Sequence, residues 1–330
     1  MKKLIATFFV AALLAVNALA QSPPTLTIVT ETPGLPSDLF YGSIKVKPLR
    51  LRPGTNTPIT IADYDFFIQQ QYIDFLRRFP EPACPAHNCG IEFYLPILTG
   101  CGSDTECIKY SRGAVSANFF RSPEFQRKGN YVLFLYVTAL GQRAITAAEL
   151  SDPSKIDRPH YAEFLADLGS ISTPNDDPAL TETKKAALAD AWVTRAEFLA
   201  KYPNAPTMSN AAYVQALLNT AGVTNSQQAQ LVTDLNNSTK TRAQVLRIIA
   251  ESPEVSAKFY KPAFVTMEYF GYLRRDPEDC KNSSNWTGGD PNQCGYIFHN
   301  NRFLNPGDPD FIENTIVRGF IEAPEYINRF

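Results

Sequence analysis

Apolar and polar residues alternate near the start of the chain but not later. Within "SIKVKPLRLR", which begins at Ser43, apolar Ile44 and Val46 alternate with Lys45 and Lys47. Because successive side chains of a strand point to opposite faces, this alternation predicts an extended segment with one cationic face. The frequent prolines of residues 21–62 exclude a helix. We therefore expect an extended, Pro-rich N-terminal arm, which either lies over the rest of the protein with its charges solvated or binds an anionic envelope polymer.

From Asp63 onward the apolar spacing is helical. The first helical stripe comprises Ile68, Tyr72, Phe75, Leu76 and Phe79, and its start is repeated by Val265, Tyr269, Tyr272 and Leu273. Pro80 and Pro277 follow the two stripes and predict the ends of both helices. A further helix is predicted in "KKAALADAWVTRAEFLAK", with Leu188, Ala191, Trp192, Phe198 and Leu199 apolar. Strand-like alternation is scarce after residue 62, so the fold class is predicted to be all-α.

A short phrase recurs along the helical part of the chain. Ser-Pro-Glu-Phe at residues 122–125 returns as Ser-Pro-Glu-Val at 252–255 and Ala-Pro-Glu-Tyr at 323–326. With the aromatic–aliphatic pairs upstream, it predicts four degenerate repeated units at residues 66–126, 130–199, 212–256 and 263–327. The helical part then divides into a first half, residues 63–199, and a second half, residues 200–330.

The recurring phrase has a structural interpretation. Serine caps a helix, proline suits its first position and glutamate favours the positive end of the helix dipole. We expect the final aromatic residue, Phe125 or Tyr326, to anchor a short helix in the core. The phrase therefore indicates architecture and not catalysis.

The chain begins with a pattern typical of exported proteins. Residues 1–20, "MKKLIATFFVAALLAVNALA", combine two lysines, an apolar stretch and a small-residue ending, and predict a signal peptide cleaved before Gln21. The apolar stretch is short for a membrane span, and no later run is long enough. Lysine and arginine total 31 against 33 aspartate and glutamate, so no global field favours nucleic acid. We expect an exported, periplasmic or extracellular protein.

Six cysteines occur as three close pairs. They are Cys84 and Cys89, Cys101 and Cys107, and Cys280 and Cys294. In an exported protein this pattern predicts three local disulfides that stiffen loops, although six cysteines allow fifteen connectivities. Zinc is the alternative, but "CPAHNC" and "CGSDTEC" lack a second half with metal-ligand spacing.

The combination of these phrases resembles domain-of-unknown-function family four-two-one-four, which is distantly similar to the phycobilisome linker domain. The residues that match in the first unit are Tyr72, Leu76, Arg77, Arg78, Pro80, Gly90, Phe93 and Ser122 to Phe125. Those that match in the last unit are Tyr269, Leu273, Arg274, Arg275, Pro277, Gly295, Phe298 and Ala323 to Tyr326. The resemblance covers most of residues 63–330, and the long form is similar to secreted members from soil bacteria.

The resemblance implies an all-helical, phycobilisome-linker-like domain on exported proteins, without an established enzymatic activity; it does not extend to pigment binding. The chain departs from the family in two places. Where members often have aspartate before the glycine, this chain has Cys89 or Cys294, and where they have tryptophan after the phenylalanine it has Tyr94 or His299.

Catalytic and metal motifs have little support. Neither Gly-x-Ser-x-Gly nor His-Glu-x-x-His occurs, and the histidines, His87, His160 and His299, are dispersed. The loop at Asp290 only partly follows a calcium-binding pattern, since Cys294 stands at a ligand position. If the protein is an envelope-polymer hydrolase, the candidate carboxylates are Glu92, Glu124 and Glu325. We predict no catalytic residue, no metal site and no cofactor.

Two arginine pairs are the candidate binding residues: Arg77, Arg78, Arg274 and Arg275. They either bind an external carboxylate or glycan phosphate, or pair with acidic residues nearby and close the helix dipole. The sequence as a whole indicates a secreted, non-enzymatic helical scaffold or binding module. Its predicted partner is an envelope protein or polysaccharide, and a hydrolase or a calcium-dependent adhesion module is the alternative.

Overall fold

The computed structural model describes residues 26–29, 38–41, 44–46, 51–52, 54–81, 90–173, 176–205, 207–278, 294–303, 307 and 309–330. Over these residues the protein is mainly α-helical, which confirms the predicted fold class.

Among the residues that the structure describes, three short strands come before the first helix. They are β1 (Leu26–Val29), β2 (Asp38–Tyr41) and β3 (Ile44–Val46), and they form an antiparallel sheet in the order β1-β2-β3. Leu26 pairs with Tyr41, and Leu39 pairs with Val46. β3 lies within the alternating sequence that predicts a strand. The arm as a whole stays a prediction, because much of residues 21–62 lies outside the described residues.

Fifteen helices follow within the described ranges. They are α1 (Tyr64–Gln71), α2 (Gly90–Thr99), α3 (Thr105–Arg121), α4 (Pro123–Phe125), α5 (Tyr131–Ala139), α6 (Tyr161–Ile171), α7 (Pro178–Trp192), α8 (Ala196–Lys201), α9 (Asn210–Ala221), α10 (Gln228–Asn236), α11 (Arg242–Ala250), α12 (Pro253–Glu268), α13 (Gly295–Arg302), α14 (Pro309–Ile321) and α15 (Pro324–Ile327). Five-residue π-helical turns follow three of them, at Tyr72–Leu76, Gln126–Asn130 and Tyr269–Leu273, and Ala147–Ser151 is a 3₁₀ helix.

The recurring phrase caps helices as predicted. Ser122 accepts a hydrogen bond from the Phe125 N–H, Ser252 accepts one from the Val255 N–H, and proline occupies the first turn of both helices. Phe125 and Tyr326 are 1% and 0% exposed, which confirms that the closing aromatics lie in the core.

Helix α5 is the centre of that core. Its sequence, "YVLFLYVTA", carries no charge, and every residue except Val137 is buried. The helix packs against α6, α9, α11 and α12. An apolar helix that is buried all round needs such neighbours, because no face of it tolerates water.

Two predicted helix ends are wrong. The helix that begins at Tyr64 ends at Leu76, because Arg77 adopts a left-handed conformation (φ 57°). The matching helix ends at Leu273, because Arg274 adopts the same conformation (φ 51°). Pro80 and Pro277 lie four residues beyond these ends. As a result Phe79 leaves the helical stripe and is 44% exposed. The predicted helix at residues 184–201 is likewise two helices, α7 and α8, and its Leu199 is 39% exposed.

The first helical segment, α1 to α4, and the last helical segment, α12 to α15, pack on each other. The rings of Phe75 and Tyr272 lie 5.4 Å apart. Helix α3 crosses α14 so closely that a Cβ at Gly113 would lie 2.7 Å from Asn314 Oδ1. Asp74, with 1% of its side chain exposed, pairs with Arg329, whose Nη2 is 2.9 Å from Asp74 Oδ1. The core thus closes around both ends of the helical part.

Matching residues of these two segments make matching contacts. The Tyr72–Phe119 and Tyr269–Phe320 ring centroids are 4.8 and 4.9 Å apart. The Tyr94–Phe119 and His299–Phe320 distances are 4.8 and 4.9 Å. These contacts align the two segments residue by residue. The division of the whole chain into four units stays a prediction.

One of the predicted disulfides is confirmed. Cys101 and Cys107 are bonded. Cys294 is also disulfide-bonded. The predicted pairs Cys84–Cys89 and Cys280–Cys294 stay predictions, because Cys84, Cys89 and Cys280 lie outside the described residues. Among the helices described, none has both the length and the apolar character required to cross a membrane.

Candidate functional site

Arg78 lies inside the protein's own network of carboxylates. Its Nε is 3.0 Å from both carboxylate oxygens of Glu124, and its Nη2 is 2.8 Å from Glu81 Oε1. The guanidinium also lies over the ring of Tyr72, 5.1 Å from the centroid. The predicted pairing of this arginine with nearby acidic residues is therefore present.

Arg275 repeats the arrangement. Its Nε donates to Glu325 at 2.7 Å, its Nη2 donates to Glu278 at 3.3 Å, and its guanidinium lies 5.3 Å from the Tyr269 centroid. The second arginine of each pair, Arg78 or Arg275, thus connects the end of a helix to the glutamate of the recurring phrase, Glu124 or Glu325. The planar fork of arginine suits this bidentate contact.

The first arginine of each pair occupies the left-handed position that ends the helix. Arg274 Nη2 lies 3.2 Å from the buried Asp74, which also pairs with Arg329. Arg77 is half-buried. Arg78, Arg274 and Arg275 pair with internal carboxylates. Binding of an external anion by the arginine pairs stays a prediction.

The arginine network positions the start of α2. Glu81, held by Arg78, places its backbone against Gly90, where α2 begins. An added Cβ at Gly90 would lie only 2.7 Å from the Glu81 carbonyl oxygen, and Gly90 has a φ of +58°. Both the close approach and the positive φ require glycine. The Leu-Arg-Arg-x-Pro phrase and the glycine therefore act together to set where α2 lies.

Helix α2 is apolar, yet most of it is not buried. Its sequence, "GIEFYLPILT", has a single charged residue, and only Gly90 and Leu98 are buried. Phe93 is 51% exposed, Ile97 is 39% exposed, and Pro96 between them is also exposed. A helix of this composition is normally enclosed by protein. We call Phe93, Pro96 and Ile97 the α2 surface.

The α2 surface rests on a stack of aromatic rings. Phe93 contacts Tyr94 edge-on, with centroids 4.9 Å apart, and Tyr94 stacks on the buried Phe119 at 4.8 Å. Burial raises the pKa of Tyr94, so its hydroxyl stays neutral. The exposed ring of Phe93 is therefore backed by rigid core side chains.

A disulfide fixes the other end of α2. Cys101 follows the last turn of α2, and its partner Cys107 lies in the first turn of α3. Between them Asp104 caps α3 by accepting hydrogen bonds from the N–H groups of Glu106 and Cys107. Both ends of α2 are thus held against neighbouring elements.

The matching helix of the last segment, α13, differs from α2 at the same positions. Because Phe93–Tyr94 matches Phe298–His299, Pro96 and Ile97 match Asn301 and Arg302. Helix α13 is polar and buries Tyr296, Ile297 and Asn300. Helix α2 therefore has apolar Pro96 and Ile97 at the positions where α13 has the polar Asn301 and Arg302.

Two of the candidate carboxylates of a hydrolase, Glu124 and Glu325, pair with cations of the protein itself. Glu124 is 7% exposed and is held by Arg78 and by Lys128, whose Nζ is 3.0 Å away. Glu325 pairs with Arg275, and Glu92 lies on α2. Glu124 is therefore occupied by cations, contrary to its sequence-based role as a free acid or base.

One groove brings titratable groups together. His160 Nδ1 lies 3.0 Å from Asp276 Oδ2, and His160 lines a groove of about 320 Å³ with Arg158, Glu197 and Lys201. The described residues that line it include no serine, threonine or cysteine to serve as a nucleophile. Within the parts of the chain described, no group of three or more His, Cys, Asp or Glu could hold a metal ion. The calcium-like loop at Asp290 lies outside them, as does His87.

No family model, curated protein or solved structure matches this chain. The resemblance to family four-two-one-four therefore stays a prediction.

The arginine pairs were visible in the sequence, whereas the α2 surface was missed. Its signal is the run "IEFYLPIL", with one charge in eight residues. Such a run predicts a buried segment by itself. Only its position on the surface makes it a candidate site.

Proposed function

We propose that this protein is a non-enzymatic helical binding module and that it binds a protein partner through the α2 surface. The observation that carries the proposal is the exposure of Phe93, Pro96 and Ile97 on a helix with one charged residue. Contiguous apolar side chains on a protein surface are typical of interaction sites. Aromatic residues backed by rigid neighbours are typical anchors of such sites.

The chemistry of the α2 surface favours a protein over a polysaccharide. The side chains of Phe93, Pro96 and Ile97 have no hydrogen-bond donor or acceptor, whereas sugar hydroxyls need such groups when they are desolvated. Apolar side chains of a protein partner lose nothing by desolvation there. A protein with an apolar, helical or extended segment is therefore the proposed partner.

The place of action is part of the same proposal. The predicted signal peptide would direct the chain out of the cytoplasm, and the Cys101–Cys107 disulfide is compatible with an oxidising compartment. Internal pairing of the arginines and of Glu124 supports a scaffold role for them. An envelope protein is then the class of partner to seek.

Site-specific photo-crosslinking in the native envelope tests the proposal. Benzoylphenylalanine at position 93 should capture one protein species, which benzoylphenylalanine at the exposed Leu180 (42%) does not capture. The purified partner should bind the wild-type protein, and Ile97→Arg, which introduces the residue found at the matching position of α13, should weaken that binding at least tenfold. Leu180→Arg is the matched control. Equal capture from both positions, or unchanged affinity of Ile97→Arg, contradicts the proposal.

A further inference from the structure

The carboxyl group of Glu268 is enclosed in the core without a hydrogen-bond partner among the described residues. Glu268 ends α12, is 0% exposed, and neither of its side-chain oxygens is hydrogen-bonded. An ionised carboxylate there would lose its hydration without any compensating contact. Desolvation of this kind favours the protonated form of an acid.

The matching position of the first segment shows how such a site is normally satisfied. Gln71 precedes Tyr72 as Glu268 precedes Tyr269, and it is also 0% exposed. The Gln71 Oε1 accepts hydrogen bonds from Ser116 Oγ at 2.6 Å and from Tyr272 Oη at 3.0 Å.

The donors that satisfy Gln71 have no counterpart for Glu268. Ser116 lies three residues before Phe119, and Val317 lies three residues before the matching Phe320. The residue that matches Tyr272 is Phe75, as their contacts with Tyr326 and Phe125 show. The two positions that carry hydroxyl groups near Gln71 are therefore occupied by the apolar Val317 and Phe75 around Glu268. Of the two matching sites, the Gln71 site has hydroxyl donors and the Glu268 site has none among the described residues. The titratable side chain therefore lies in the site that cannot solvate a charge.

The charges around Glu268 also oppose its ionisation. Burial raises its pKa well above 4.5, and the neighbouring carboxylate of Glu313 on α14 adds to the effect. Glu313 has a cation of its own, since Arg121 Nε lies 2.8 Å from its Oε2. Burial also raises the pKa of Glu313, but Arg121 opposes that effect, whereas no cation among the described residues opposes it at Glu268. Tyr272, in the turn that follows α12, is the other titratable group that interacts electrostatically with Glu268.

The remaining titratable groups on the elements packed against α12 interact with other partners. These groups are Tyr131 and Tyr136 on α5, Arg242 and Arg247 on α11, and Tyr296, His299 and Arg302 on α13. Asp310 on α14 pairs with Arg121. Arg318 on α14 pairs with Glu106 and Glu322. Among the described residues, none of these cations neutralises Glu268.

We propose that Glu268 is a proton-binding site built into the core, and that its ionisation loosens the packing of α12 against α14 at alkaline pH. The inference is independent of the proposed binding function. It concerns a conformational device and not a catalytic group.

The sign of the effect follows from linkage. Above pH 4.5, the ordinary value for glutamate, the unfolded chain releases this proton while the folded chain retains it. The unfolding equilibrium constant therefore rises with pH by up to tenfold per pH unit, until Glu268 ionises in the folded state. Stability contributed by the proton is present at acid pH and is lost as the pH rises.

Glu268→Gln tests this inference, because it places at position 268 the neutral glutamine that the first segment has at the matching Gln71. Urea unfolding should give the same unfolding constant for the wild type and the variant near pH 4. At pH 7 the unfolding constant of the variant should be at least tenfold smaller than that of the wild type. The ratio of the wild-type constant to the variant constant should increase with pH. A ratio that does not change between pH 4 and pH 8 overturns the proposal.

A matched control and a second readout keep the test decisive. Gln71→Glu places a carboxyl beside the Ser116 and Tyr272 hydroxyls, which donate to a carboxylate, so its pH dependence should be weaker than that of the wild-type Glu268. The infrared spectrum of the folded wild type at pH 7 should contain a protonated-carboxyl band that Glu268→Gln lacks. Absence of that band from the wild type overturns the proposal even if the variant does not fold.

Discussion

Arg78 donates hydrogen bonds to both carboxylate oxygens of Glu124, which lies 46 residues further along the chain. The pair is largely shielded from water, with 20% of the Arg78 side chain and 8% of the Glu124 side chain exposed. The matching pair, Arg275 and Glu325, is 39% and 47% exposed. The same contact therefore occurs twice in one molecule at two levels of burial.

This difference predicts unequal effects on stability. Arg78→Ala leaves a buried carboxylate with Lys128 as its remaining cation, and should lower the free energy of unfolding by about 3 kcal/mol. Arg275→Ala breaks an exposed pair and should cost less than about 1 kcal/mol. Urea unfolding at pH 7 measures both values. Equal losses would show that burial does not set the strength of these pairs.

Substitution of Tyr326 by alanine should be among the most damaging changes at the C-terminus. Its buried ring lies 5.0 Å from that of Tyr272 and 5.3 Å from that of Phe330, so truncation leaves a cavity. We expect a loss of about 3–5 kcal/mol in the free energy of unfolding. The adjacent Ile327, which is 41% exposed, provides the control. Ile327→Ala should lower the free energy of unfolding by under about 1 kcal/mol. If Tyr326→Ala also lowered it by less than about 1 kcal/mol, the Tyr326 ring would not be part of the core.

His299 should make the protein less stable in acid. Burial lowers its pKa from 6.5 to about 4, and the charge of Arg302 contributes. Because the folded pKa is depressed, the unfolded chain takes up a proton as the pH falls below 6.5 and the folded chain does not. Stability is lost between pH 6.5 and 4, by about 2 kcal/mol between pH 7 and 5. His299→Phe, which keeps an aromatic ring at this position, should flatten that part of the stability curve, and an unchanged slope would exclude His299 as its source.

Removal of the Cys101–Cys107 disulfide should act locally. The bond closes a loop with a sequence separation of 6, for which the chain-entropy estimate is about 2 kcal/mol. The Cys101→Ser, Cys107→Ser double variant should therefore lose about 2 kcal/mol or less. Hydrogen exchange should accelerate in α2 and leave α13 unchanged, since α13 lies in the other segment. Uniform acceleration in both helices would contradict a local role.

Exposed positions of α2 should tolerate polar residues. Ile97→Arg changes a side chain that is 39% exposed, and its effect on the free energy of unfolding should lie within about 0.5 kcal/mol. Leu98→Arg, one residue later, places a charge at a fully buried position and should prevent or severely weaken folding. Comparable losses from the two variants would mean that α2 is enclosed in solution.

Helical spacing and helix capping predicted much of this fold. The stripe through Ile68 and Tyr72, the cap at Ser122 and the burial of Phe125 all depend on residues within a few positions of each other. The helix end was wrong because a left-handed Arg77 is set by contacts that form only after folding. Local pattern cannot show that a non-glycine residue will adopt a positive φ.

The sites depended on distant partners and were harder to predict. Glu124 resembled a solvated residue at a helix start, yet Arg78 from 46 residues away encloses it. Glu268 lies next to Tyr269 of the predicted apolar stripe, and the spacing alone does not show that it is buried. Its burial follows from the packing of α12 against α14, which a periodicity argument does not supply. The α2 surface was hidden for the opposite reason, because an apolar run predicts burial.

The pairing of Asp74 with Arg329 has a consequence for when the chain can fold. A ribosome that has synthesised half of the protein has released Asp74 but neither Arg274 nor Arg329, the cations with which this buried carboxylate pairs. The buried Asp74 therefore has neither cation to pair with until Arg274 and Arg329 emerge. Contacts that span so much of the chain delay collapse. Completion of the fold therefore waits until Arg329 has left the ribosome, and until then the nascent chain is accessible to factors that bind unfolded polypeptide.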